Sequence, residues 1–149
     1  MRAAAYLVYA GDYLQKPEEV VAKAFGAWQR GDAAASARHA EQGLALATQL
    51  AQGNEQANAL RLLGRARGQA GQHAQAAADL AQALAIDQRL GLPERVALDL
   101  QFAGEVELQR RQPAAAREFF ERALVVYQTI GAGRAADALR ARLADLNKP

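Results

Sequence analysis

The chain has 149 residues, enough for one compact domain with its own core or for a short array of repeated units. It contains no cysteine, which excludes disulfides, thiolate catalysis and Cys-ligated metals. Its 18 basic and 16 acidic residues are interspersed, so the net charge of +2 builds no charged tail. Hydrophobic residues make up 51%, yet mean hydropathy is −0.21, because about a quarter of the chain is Ala, the strongest helix former. No useful stretch alternates with a period of two, so an all-α fold without a sheet is expected. Lys occurs only at 16, 23 and 148 against many Arg, a usage typical of GC-rich bacterial genes.

In chain order, the apolar run "AAAYLVYA" at 3–10 comes first. It is too short to span a bilayer, which takes about 20 apolar residues, and its tyrosines argue against a signal peptide. No membrane insertion is expected. The cytoplasm is the expected compartment, with the periplasm open if a signal was removed ahead of Met1. Tyr6, Tyr9 and Tyr13 recur at helical steps, so residues 1–16 read as a short N-terminal cap segment.

The rest repeats. "QRGDAAASARHAEQGLALATQL" from Gln29 aligns with "QAGQHAQAAADLAQALAIDQRL" from Gln69 and "QRRQPAAAREFFERALVVYQTI" from Gln109, at a constant offset of 40 residues. Down the columns small meets small and large meets large: Ser36, Ala76, Ala116; Ala40, Leu80, Phe120; Gly43, Ala83, Ala123; Leu44, Leu84, Leu124. Upstream stand Val20, Leu60, Leu100, then Ala24, Gly64, Gly104. Steps of three and four between columns set a helical period. Each unit therefore reads as two helices joined at Gly31-Asp32, Gly71-Gln72 or Arg111-Gln112. Pro113 suits a first helical position, while Gly53 and Pro93 are expected in loops between units. "RAADALRARLADL" at 134–146 is half a unit more, with Asp137, Arg140, Arg142 and Asp145 on a solvated side. The expected divisions are 17–52, 53–92, 93–132 and 133–149.

A small residue at Ala24, Gly64 and Gly104, a Gly-Asp-like turn seven residues on, then a small residue, a bulky one and "AL" at fixed steps resemble the tetratricopeptide repeat. The resemblance covers roughly Glu18 to Leu146. It departs from the family in its period, usually about 34 residues, and in carrying Arg111 where Gly is normal, which calls for a left-handed backbone there. Longer units are similar to those of kinesin light chain, Pins-type adaptors and bacterial regulators. The resemblance implies an α-solenoid of three helix-turn-helix repeats, closed by residues 133–149 as a capping helix.

The stretch "GRARGQAGQ" (64–72) is then no phosphate loop. Gly64 serves close helix approach and Gly71 the turn, at a helix C-terminal end where the dipole repels anions. Nor is it flanked by further RG units, so no nucleic-acid partner is expected. Catalytic residues are scarce: Ser36 stands in a packed Ala column, His39 and His73 lack an acidic cluster, and Glu105 and Glu107 point to different sides of a helix. No enzyme activity, cofactor or metal is expected.

Carrying over the family's concave-face positions implies Asn58, Arg61, Arg65, Gln69, Leu98, Gln101, Glu105 and Gln109 as peptide contacts, with Val21, Phe25 and Trp28 as a possible aromatic anchor. Arg61 and Arg65, one turn apart, suit a carboxylate of an acidic peptide; alternatively Glu105 satisfies Arg65. Phe25 and Trp28 either anchor a ligand or pack beneath the N-terminal tyrosines and Leu14. The implied function is a non-catalytic interaction module that holds a partner's peptide in its groove. Alternatives are a self-assembling structural repeat protein, hence a homo-oligomer, and a peptide-sensing fragment of a bacterial regulator.

Overall fold

The computed structural model describes residues 15–149, which are all-helical, without a strand. Among them seven helices follow one another: α1 Pro17–Gln29, α2 Ala33–Gln49, α3 Gly53–Gln69, α4 His73–Leu90, α5 Pro93–Gln109, α6 Pro113–Thr129 and α7 Gly133–Leu146. The helix expected around Tyr6, Tyr9 and Tyr13 lies outside the described residues. Gly53 and Pro93, expected in loops, are the first residues of α3 and α5. Proline at a first helical position loses nothing by lacking an N–H, and its fixed φ already suits the helix.

The connections are two or three residues long and share one geometry. Gly31, Ala51, Gly71, Gly91, Arg111 and Gly131 all take positive φ, between 52° and 84°. The next N–H then reaches back into the helix: Asp32 to Ala27 O, Gln72 to Arg67 O and Gln112 to Glu107 O, at 2.8–2.9 Å. This satisfies a free carbonyl and reverses the chain at once, so consecutive helices lie side by side. Arg111 adopts the left-handed backbone its position calls for, at φ 61°. Arg111→Gly should therefore raise stability by about 1 kcal/mol, read as a higher Tm; an unchanged or lower Tm would contradict the strain.

Pairing of the columns explains the close packing. Ala24 and Ala40 belong to one buried cluster. In the next helix pair, a Cβ on Gly64 would lie 2.7 Å from Leu80 Cγ, and in the third a Cβ on Gly104 would lie 2.6 Å from the Phe120 ring. As the even-helix residue grows from Ala to Leu to Phe, the odd-helix residue facing it shrinks from Ala to Gly. The glycines make room for the larger side chains, as a close-packed interior demands.

Each helix packs on the next, and the backbone of α3 also comes close to those of α1 and α5, whereas the backbones of α2, α4 and α6 stay apart. Odd helices therefore form the inner layer, with α3 at its centre. On the other side Arg67 of α3 holds both carboxylate oxygens of Asp79 on α4, at 2.8 and 3.0 Å, and reaches Glu41 on α2. Arg142, expected on the solvated side of α7, reaches Glu105 on α5 at 2.6 Å.

Candidate functional site

A trough runs along α3 between α1 and α5. Toward the N-terminal half of α3 lies a hollow of about 480 Å³, walled by Val21 and Phe25 of α1, Asn58, Arg61 and Leu62 of α3, and Leu98 of α5. A second, of about 330 Å³, is lined by Trp28, Gln69, Gln101, Glu105 and Gln109. Arg65 and Phe102 border both. All eleven side chains that the resemblance implied thus line one of two adjoining hollows. Helical spacing on α1, α3 and α5 turns them to one face.

Their chemistry differs from expectation at Arg61. Its guanidinium is buried, with Nε donating to Asp99 at 2.6 Å, Nη2 to Asp87 at 2.5 Å and Nη1 to Asn58 Oδ1 at 2.9 Å. Three of its N–H groups are thus taken by Asn58 and by two fully buried aspartates, a partnership the sequence reading did not foresee. The contact joins α3, α4 and α5 beneath the trough floor. Asn58 gains a fixed orientation from it: its oxygen faces Arg61, so its amide N–H groups remain to donate.

Asp87 Oδ1 and Asp99 Oδ2 have no hydrogen-bond donor. A proton on Asp99 supplies one. Burial, then a hydrogen bond with Asp87, pushes the Asp99 carboxyl up to about 8, against the opposing pull of Arg61. The sign follows: Asp99 holds its proton in the folded chain and loses it near pH 4 when unfolded, so stability falls as pH rises from about 4 to about 8. Urea midpoints between pH 5 and 8.5 should decline, and Asp99→Asn should flatten that decline. An equal slope in the variant would refute the assignment.

Arg65 is held differently. Its guanidinium carbon lies 4.6 Å from the centre of the Trp28 ring and 4.0 Å from that of Phe102, stacked between α1 and α5. Burial, then the like charge of Arg61, pulls its pKa down, and Glu105 partly offsets them. Yet Glu105, the alternative partner for Arg65, makes its salt bridge with Arg142, and among the described residues no carboxylate comes within 4.0 Å of Arg65. Trp28 is half-buried against Arg65, while Phe25 is 47% exposed. The tyrosines and Leu14 expected to cover Phe25 lie outside the described residues. Gln101 accepts from Tyr127 Oη at 3.0 Å, leaving its amide N–H groups to donate into the second hollow.

Phe102, Asp87 and Asp99 were missed from sequence. A signal existed for one of the aspartates. Asp87 shares a column with Ala47 and Tyr127, both uncharged, whereas the column of Asp99 already holds Glu19 beside Ala59 and Leu139. Arg61 is the one cation in the column of Val21 and Gln101. One acid and one base intruding on uncharged columns of neighbouring helices point to mutual burial. Phe102 gave no such signal. No family model matches the chain, and no curated protein matches it either.

Proposed function

We propose that the chain is a tetratricopeptide-like interaction module, without catalysis of its own, that holds an extended segment of a partner protein along the trough over α3. The observation that carries this reading is Arg65, a cation fixed between two aromatic rings at the junction of both hollows, with no carboxylate on it among the described residues. A planar cation already immobilised loses little entropy on binding and presents its N–H edges to whatever enters. Around it Asn58, Gln69, Gln101 and Gln109 offer amide groups. These suit the unpaired N–H and C=O groups of an extended chain; a helix has already satisfied its own.

The hydroxyl groups support a non-catalytic role. Ser36 donates to Ala24 O at 2.8 Å, Thr48 to Leu44 O at 2.7 Å and Thr129 to Val125 O at 2.8 Å. These are all the Ser and Thr residues of the chain, and none is poised beside a base.

The test is selection of randomised linear peptides on the full chain, followed by NMR of the Trp28 indole with the enriched peptides. Expected is enrichment over bare matrix together with a shifted indole signal. Failure to enrich, or binding that leaves Trp28 unmoved, would count against the trough. Mass measured over a concentration range covers the self-assembly alternative: a dimer abolished by Phe25→Ser would place a second copy there instead.

A further inference from the structure

Charges in the larger hollow are sorted from one end to the other. Glu18 of α1 and Glu55 of α3 line the larger hollow, both in the first turns of their helices, and among the described residues neither has a cation within 4.0 Å. The partial charge of a helix N-terminus, about half a unit, leaves each carboxylate net negative. Arg65 stands at the opposite end of that hollow. Between the two ends the walls are apolar, formed by Val21, Phe25, Leu98 and Phe102. Arg61, in the floor, adds little positive field because Asp87 and Asp99 lie against it.

Resting on the reading of the trough as a peptide groove, we infer that it selects an extended segment in which a bulky apolar side chain sits between a basic residue, over Glu18 and Glu55, and an acidic residue, on the edge of Arg65. The spacing follows from geometry. From Glu55 to Arg65 along α3 is about 15 Å, at 1.5 Å per residue. An extended chain advances about 3.3 Å per residue and turns alternate side chains to the same face. Positions i, i+2 and i+4 then share a face and span about 13 Å, which the reach of Glu and Arg side chains closes. The motif is basic-x-apolar-x-acidic, read in either chain direction. A carboxylate suits the single guanidinium better than a phosphate does, because Glu105 is close enough to offset Arg65 and would repel a second negative charge.

The experiment uses three full-length baits against randomised linear peptides: the wild-type chain, Arg65→Met and Glu18→Gln/Glu55→Gln. Methionine keeps an unbranched stem between the rings while removing the cation. The wild-type pool should show the charge order above. The Arg65→Met pool should lose only the acidic position, and the Glu18→Gln/Glu55→Gln pool only the basic one. A wild-type peptide should bind Arg65→Met about tenfold more weakly, as expected for a lost charge-assisted hydrogen bond. Pools enriched without this charge order, or identical for all three baits, overturn the inference and leave the groove standing. No enrichment on any bait overturns the groove itself. Should Arg65→Met lose its helical melt, the surface pair Glu18 and Glu55 still decides the basic position.

Discussion

Arg61→Met should cost on the order of 3–5 kcal/mol of folding stability, the usual loss when one partner of a buried ion pair is removed. The reason is the company Arg61 keeps: Asp87 and Asp99, both 0% exposed, would be left without their cation at the junction of three helices. The loss should shrink as pH falls toward 4, because a buried carboxylate stripped of its cation is relieved by taking up a proton. Urea unfolding at pH 5 and pH 7.5 would read both effects. Forty residues earlier, α1, α2 and α3 supply the control, since in the same three columns they carry Val21, Ala47 and Ala59. Arg61→Val/Asp87→Ala/Asp99→Ala removes the charges together and should lie within about 2 kcal/mol of the parent. If the triple variant is no more stable than the single one, the cost belongs to lost volume rather than to stranded charge. The contrast also bears on the groove. Because Arg61 is structural, its replacement confounds any binding test, and Arg65 is the residue to vary.

Phe120→Ala should cost about 3–5 kcal/mol, since the ring is fully buried and its removal leaves a cavity. Its partner gives the opposite fault. Gly104→Ala places a methyl where the Phe120 ring already stands, 2.6 Å away, and should cost about 1–3 kcal/mol by overpacking. The double variant recreates the Ala24 and Ala40 pair of the first unit. Its loss should fall short of the summed single losses by at least about 1 kcal/mol, the sign of two residues that share one space. Additive losses in a double-mutant cycle would mean that the two sites do not feel each other.

Both predictions pair residues whose columns stand in the sequence at an offset of 40, yet neither pairing could be read there in full. The size exchange between Gly104 and Phe120 was half visible, since the small and bulky columns were both recognised. Their direct contact needed the structure. Arg111 was fully visible, because a turn position that is Gly in the two earlier units demands a left-handed backbone whatever residue fills it. The positions of the trough came from the resemblance alone, and helical periodicity explains why they share a face. The roles of those positions were not legible in the sequence. Arg61 and Arg65, one turn apart and alike in sequence, part company because one meets aspartates 26 and 38 residues away and the other meets two aromatic rings.

Local chemistry was therefore legible in the sequence: helices from alanine-rich periodicity, the reversals at Gly31, Gly71 and Arg111, and a buried stripe repeated every 40 residues. These depend on backbone preference and burial, which act over a turn or two. Partnership was decided only by the tertiary structure. Which acid neutralises which base, and which cation is left facing the groove, depends on how closely α3, α4 and α5 approach, and that distance is a property of three packed helices together.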